Sequence, residues 1–462
     1  MNASTSFSRY GLSLFAAVLC GCETVKHARQ AQESGDRLAG ETTLQTDRSG
    51  LSQGKTLTLA ALERIARDNH PSILQARQAV ESARLQCKMT RSGRLPQISA
   101  SGAYNRTTQN SWGRSPHSDM RGSWSGSLGL DLLLYDFGRL DAEEKQAVEA
   151  IVAAEEQLRE AELDVTYNVR TSFFERHRSD NLLRVALESV QQYTEHLEEA
   201  RTMMEVGTRR KYDVTKAEVD LGNARLDVVT ASNSLIVAHA QLNRALGLAD
   251  NPDYRLDDAR LPSATNNASA LMYIARSNTP SLAVLRARER AASAYVDQTI
   301  AELYPEFSLG ADADLSGRNF PFVWNFSWGL NLIQNIFDGH RKTARIDEAV
   351  TQLRIARSRV ADAEQTLYLD LVSTIAQAES ARKRSDIARL TQQQAIDNLA
   401  IVNEQYRVGI SSAIERTDAQ VMVTQAKSDV IRAYYDEQAA AARLALLTGA
   451  PAETHTPQAL LK

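Results

Sequence analysis

Cysteine is nearly absent from this chain. Cys20, Cys22 and Cys87 are the only three in 462 residues, too few for the disulfide framework that staples small secreted domains. Proline is as scarce, ten in all, so long stretches run without an obligate helix breaker. Neither charge sign dominates. The 53 Lys and Arg against 57 Asp and Glu leave no basic surface for nucleic acid or another polyanion. No segment offers the roughly twenty consecutive apolar residues of a membrane-spanning helix. One route across a membrane stays open to such a chain, a share in a closed β-barrel, where every backbone N–H and C=O finds a partner.

The N-terminus carries an export signal. Arg9 and the free amine supply positive charge, Tyr10 to Leu19 is a short apolar run, and Leu19-Cys20-Gly21-Cys22 ends it. The run is too short to span a bilayer and reads as a signal peptide over 1–21. Its ending resembles a bacterial lipobox, which makes Cys22 an acylated mature N-terminus. Glu23 follows instead of Asp, compatible with sorting to the outer membrane. Ordinary cleavage without lipid is the plainer alternative. Maturation at Cys22 removes Cys20 and leaves Cys87 as the one spare thiol, and several acyl chains anchor far more firmly than one. Residues 22–56 are expected to form a lipidated linker.

Beyond residue 56 the sequence repeats itself. His70-Pro71-Ser72 recurs as Thr279-Pro280-Ser281, and Leu95-Pro96-Gln97-Ile98-Ser99 as Tyr304-Pro305-Glu306-Phe307-Ser308, both at an offset of 209. Tyr135-Asp136-Phe137-Gly138-Arg139 is echoed by Phe337-Asp338-Gly339-His340-Arg341, Val206-Gly207 by Val408-Gly409, and Leu246-Gly247 by Thr448-Gly449, all at 202. Five landmarks with one change of register establish a tandem duplication. The first repeat is read as 57–248, with a strand pair in 96–135, a long helix 139–206 and a return helix 208–246. The second is 269–449, with strands in 305–336, a long helix 341–408 and a return helix 410–447. One helix precedes each strand pair, Leu57 to Ser92 and Ser269 to Leu303. A linker covers 249–268 and a tail 450–462.

The strands show strict period two. Phe307, Leu309, Ala311, Ala313 and Leu315 alternate with Ser308, Gly310, Asp312 and Asp314. Phe322, Trp324, Phe326, Trp328, Leu330 and Leu332 alternate with Asn325, Ser327, Gly329 and Asn331. Leu128, Leu130, Leu132 and Leu134, preceded by Trp124, repeat the pattern more weakly. One face is apolar and one polar, about ten residues per strand, which suits a tilted bilayer crossing. The smallest outer-membrane barrels have about eight strands. Four therefore require other copies to satisfy their edges. Each long helix covers 68 positions, Arg139 to Gly207 and Arg341 to Gly409, without Pro or internal Gly, about 100 Å at 1.5 Å per residue. Heptads run through Ile346, Leu353, Val360 and Leu367, with Val350 and Leu371, and through Ile151, Leu158 and Val165, with Val148 and Val169, the mark of coiled-coil packing. The fold class is mainly α with a small β part.

These landmarks together resemble the TolC outer-membrane efflux protein family over nearly all of the mature sequence. The resemblance implies a homotrimer whose twelve strands form one barrel above a periplasmic α-barrel. It implies a passive duct for drugs, toxic compounds or metal ions in a tripartite export system, partnered by a periplasmic adaptor, an inner-membrane pump and outer-membrane lipid. Some members serve type I protein secretion. It also implies that the tips Val206, Gly207, Thr208, Arg209 and Val408, Gly409, Ile410, Ser411 dock the adaptor. His340 stands where a second Gly is common, and Glu415 where Asp is frequent.

No catalytic or metal-ligating constellation is assembled. The eight histidines are not at metal spacing, there is no phosphate loop, and Glu and Asp read as solvated helix faces. No cofactor is expected beyond the lipid on Cys22. Asp397 and Glu404 lie seven apart on one helical face before the second tip, followed by Tyr406 and Arg407. Repeated by symmetry, such carboxylates favour cations, which makes these four a candidate periplasmic gate. A non-channel coiled-coil envelope protein, or a hydrolase on a helical scaffold, competes with the duct. The first predicts no barrel strands, the second a base and nucleophile.

Overall fold

The computed structural model of the chain describes residues 26, 28–30, 32, 56–111, 117–248, 252, 254–261 and 268–449. The expected signal peptide, Cys22 and the tail 450–462 lie outside them. The first repeat consists of β1 (Thr56–Leu57), α1 (Leu59–Asn69), α2 (Pro71–Ser92), β2 (Gln97–Ser111), β3 (His117–Tyr135), α3 (Arg139–Glu205) and α4 (Lys211–Ala245). After β4 (Arg255–Leu256) the second follows as α5 (Ala268–Asn278), α6 (Pro280–Ala301), β5 (Glu306–Gly317), β6 (Val323–Ile333), α7 (Arg341–Arg407) and α8 (Ala413–Leu447).

The single helix expected before each strand pair is in fact two. His70 (φ −69°, ψ 125°) and Thr279 (φ −71°, ψ 118°) are extended, because a following proline disfavours helical backbone at the residue before it and lacks an N–H to continue the ladder. Proline then opens α2 and α6 as a tolerated first helical residue.

Two compact units make up the chain: Met1–His70 with Asn168–Arg260, and Pro71–Tyr167 with Leu261–Lys462. In the first unit β1 pairs in parallel with β4, Thr56 to Arg255 and Leu57 to Leu256. The hairpin core sets Tyr193, Leu197 and Ala200 of α3 against Val214, Leu221 and Ala224 of α4, steps of three, four and seven that keep one helical face inward. Arg170 is buried, and its Nε donates to Glu63 Oε1 at 2.6 Å, the pairing a buried guanidinium requires.

In the second unit Leu367 and Leu371 of α7, Leu444 and Leu447 of α8, Ala275 of α5 and Leu282 of α6 form one core. Ala153 of α3 packs with Val284 and Ala287 of α6. Both repeats close the return helix with a glycine that admits no side chain. A Cβ on Gly247 (φ +74°) would stand 2.9 Å from His70 Cα, and one on Gly449 (φ +63°) 2.5 Å from the Asn278 carbonyl. The sheet β2-β3-β5-β6 lies wholly in this unit and is antiparallel throughout.

Candidate functional site: a two-faced sheet and two helical tips

Register decides what each face of the sheet presents. Ile98, Leu130, Ala311 and Trp328 form one cross-strand row; Ala100, Leu128, Ala313 and Phe326 form the next; Leu132, Leu309 and Leu330 another. All belong to one apolar face, along which Trp324, Phe326, Trp328, Leu330 and Leu332 are exposed in the chain. The other face carries Ser99, Gly129, Asp312 and Ser327 in one row and Ser101, Ser127, Asp314 and Asn325 in another, with Asp131 opposite Gln97. Ser101 and Ser127 share a hydroxyl hydrogen bond of 2.7 Å. A sheet apolar on one side and hydroxyl- and carboxylate-rich on the other suits lipid outside and water inside a barrel. Among the described residues β2 and β6 each pair on one side alone, and no open edge survives in hydrocarbon.

Aromatic rings mark both margins of the apolar face. Toward the end of β2 and the start of β3, the Tyr104 and Trp124 rings lie 4.7 Å apart. Toward the helices, a register shift between Leu133 and Tyr135 brings Tyr135 opposite Phe307. There Phe137 contacts Tyr135 at 4.8 Å and stacks on Tyr304 at 5.1 Å. From Trp124 to Tyr135 is about eleven steps of roughly 3.3 Å, and a strand tilt near 45° leaves about 25 Å of height. That matches the apolar band of an outer-membrane barrel. Among the described residues no helix is long and apolar enough to cross a membrane.

The chain turns from strand to long helix through two consecutive left-handed residues in each repeat: Phe137 (φ 53°) and Gly138 (φ 86°), then Gly339 (φ 70°) and His340 (φ 68°). Each corner carries one glycine, in opposite positions, so His340 is balanced by Phe137 in the other repeat. A side chain in that region costs about 1–2 kcal/mol, which the Phe137–Tyr304 stack helps to offset. The aspartate of each corner caps the helix. Asp136 Oδ2 accepts from Leu140 N at 2.7 Å and its Oδ1 from Gly138 N at 3.2 Å, while Asp338 Oδ2 accepts from Lys342 N at 3.2 Å. Both occupy the end where free N–H groups and the helix dipole favour a carboxylate.

The tips are glycine-closed helix ends. Gly207 (φ +76°) and Gly409 (φ +82°) have open space where a Cβ would stand. Thr208 and Arg209 N–H donate to Met203 O, and Ile410 and Ser411 N–H to Gln405 O, which satisfies the last carbonyls of each helix. Val206 and Val408 are each 70% exposed and Ile410 78%. At the first tip Asp213 Oδ2 accepts from Arg210 N at 3.3 Å. At the second, Glu415 accepts from Ser411 Oγ at 2.6 Å and Ser412 N at 2.8 Å while Ser412 Oγ accepts from Glu415 N. The Ser411 hydroxyl and the Ser412 N–H hold the Glu415 carboxyl below its ordinary range. Ser412-Ala413-Ile414-Glu415 is a capping-box signature, with Ser at the cap and Glu three residues on, visible in the residues themselves.

The gate candidates divide. Asp397 is exposed and accepts from Gln393 on its own helix at 3.0 Å. Arg407 pairs with Glu404 one turn away at 3.1 Å, both exposed, a pair of little energetic worth. Tyr406, in contrast, is buried, with the Arg416 guanidinium 4.7 Å from its ring centroid and Arg416 Nε donating to Asn403 Oδ1 at 2.8 Å. Arg416 comes from the return helix, so no spacing within α7 pointed to it. No group of His, Cys, Asp and Glu that could hold a metal ion occurs among the described residues.

The profile of the family described as outer membrane efflux protein matches residues 62–248 and 271–450. The cation efflux system protein CusC of Escherichia coli O157:H7 is 24% identical over 403 residues, covering 84% of each chain. The toluene efflux pump outer membrane protein TtgI of Pseudomonas putida is 23% identical over 379 residues, covering 79% of each. A solved membrane protein from Pseudomonas aeruginosa superposes with a TM-score of 0.76 at 21% identity, covering 86% of this chain and 92% of that one.

Proposed function

The chain belongs to the outer membrane efflux protein family, and from that premise we propose that three copies join their sheets into one twelve-stranded barrel serving a tripartite pump. It is an outer-membrane efflux channel with a periplasmic helical part, a passive duct and not an enzyme, with no resident cofactor. The two-faced sheet with its two open edges supports the assembly, since copies must close it before it can sit in lipid. The Val206–Arg209 and Val408–Ser411 tips are the surfaces for a periplasmic adaptor, because exposed apolar residues on a glycine turn admit close approach of another helix. Energy comes from an inner-membrane pump, and acylation of Cys22 adds a second anchor.

The cargo is a small toxic compound, a drug or a metal ion, a reading supported by the antibiotic, solvent and cation efflux that relatives' names carry. Cells deprived of the chain should become sensitive to at least one such compound and regain resistance when it is restored. Unchanged sensitivity across solvents, antibiotics and metals would overturn the small-molecule reading.

A further inference from the structure

We infer that Arg106 binds a phosphate of a lipid headgroup in the outer leaflet, a contact that rests on the reading of the apolar sheet face as lipid-facing. Strand parity places it. Ile98, Ala100, Gly102 and Tyr104 occupy the apolar face of β2, and Arg106 is the next position on that face, opposite Gly122. It is exposed and has no ion-pair partner among the described residues. A guanidinium on a lipid-facing strand is costly at the bilayer midplane and tolerable at its margin. Arg106 stands one step beyond the Tyr104–Trp124 pair, past the belt that marks the interface. The margin in question is the outer one, because the opposite strand ends join the helices.

The space beside it is shaped by glycine. A Cβ on Gly122 would meet the Tyr104 hydroxyl at 2.6 Å, so the ring leans across the bare backbone of β3. The cross-strand position facing Arg106 holds no side chain. A guanidinium with a stem along the aromatic belt and a head at headgroup depth meets phosphate with paired, charge-assisted N–H donors. Arg318 supplies the comparison. It is exposed at the same end of the sheet, but in the bend after β5 and outside the pleat.

The test is binding of fluorescent diphosphoryl lipid A to the detergent-purified full chain, with the same preparations recorded in planar bilayers. Arg106→Gln should weaken binding about fivefold, the factor that roughly 1 kcal/mol per basic residue near an anionic leaflet gives. Arg106→Lys should keep most of the affinity, Arg318→Gln all of it, and dephosphorylated lipid should bind weakly to every variant. Equal binding by Arg106→Gln, or an equal loss in Arg318→Gln, overturns the contact. Competition by inorganic phosphate at matched phosphate concentration would make this a free-anion site and overturn it too. A preparation that opens no pore would overturn the membrane-face reading itself, an outcome distinct from a pore-forming protein whose Arg106→Gln binds normally.

Discussion

The guanidinium of Arg416 lies 4.7 Å from the ring centroid of Tyr406, which locks the last turn of α7 onto the first turn of α8. Asn403 completes the lock by accepting from Arg416 Nε at 2.8 Å. A cation over an aromatic face in a partly desolvated site is worth about 0.5–2 kcal/mol, more than the exposed Glu404–Arg407 pair beside it. Any role of this tip in closing the duct therefore runs through Arg416 and Tyr406 before it runs through Arg407. Arg416→Ala should raise amide exchange across 403–412 about tenfold, the factor for roughly 1.4 kcal/mol, and raise the resting conductance of single channels. Arg407→Ala should do neither. Equal effects of the two would assign tip closure to charge alone.

The four C-terminal helix glycines should separate into two classes. Gly207 and Gly409 have positive φ and empty surroundings, whereas Gly247 and Gly449 have positive φ and backbone within 3 Å of a Cβ. Alanine at 207 or 409 should cost only about 1 kcal/mol of backbone strain and leave the assembly folded. Bulky Leu at either tip should impair export while the protein stays in the membrane. Alanine at 247 or 449 should lower the melting temperature much further, because backbone on both sides must move. Normal export with Leu at both tips would reduce them to simple turns.

Stability of the first unit should fall with acid. Burial lowers the pKa of His177, with the Asp258 charge and the Asp257 backbone partly opposing, and its Nε2 is buried without a partner. A group whose folded pKa lies below its unfolded value of about 6.5 favours the fold fully above that pH. The contribution is lost as pH falls through the folded pKa. His70 is shifted the same way by burial, so His177→Gln should flatten the drop in melting temperature between about pH 8 and pH 5 without abolishing it. An unchanged slope would remove His177 from the account.

Much of this architecture is legible in the residues. The duplication, the alternation in β5 and β6, and the helical runs between Arg139 or Arg341 and the tip glycines all follow from period and landmark. Three features are not, each for a physical reason. β1 and β4 pair over two residues apiece, too short to carry any period. β2 is rich in Ser, Thr, Asn and Gln, so its apolar face, Ile98 to Tyr104, emerges only through its pairing with β3. Tyr406 reads in the sequence as one of four gate residues on α7, yet it is buried with the Arg416 guanidinium over its ring, from ten residues on across a turn.

The carboxylates of the polar sheet face should set ion preference more strongly than those above the tip. Asp131, Asp312 and Asp314 share that face with serines and asparagines, and threefold repetition would multiply each around a narrow lumen, where low-dielectric walls focus their field. Asp397 and Glu404 are exposed on α7, and outside a pore their influence is screened over about 10 Å at ordinary salt. Bilayer recordings of an Asp131→Asn, Asp312→Asn, Asp314→Asn triple variant should show lower cation preference, and of Asp397→Asn with Glu404→Gln a smaller change. The reverse order would place the selective constriction at the tip.

Barrel closure makes the sharpest demand, because it requires β2 of one copy to pair with β6 of the next. Within the chain Ser101 and Asn325 share a cross-strand row, but strands in a barrel are staggered, so the intermolecular partner of β2 lies displaced along β6. Single cysteines at Ser99 or Ser101, combined in turn with cysteines at Asn325, Ser327, Asn331 and neighbouring positions of either parity, should therefore crosslink in one register and fail in the others. The background is favourable, since Cys87 is buried. Disulfide geometry admits only Cα separations of about 4.4–6.8 Å, which makes the successful pair a direct reading of the stagger. Denaturing gels should show a ladder that stops at three copies. A ladder that stops at two, or continues without limit, would contradict a closed twelve-stranded barrel. Absence of any crosslink across the full scan would mean that the edges of β2 and β6 are covered by something other than each other.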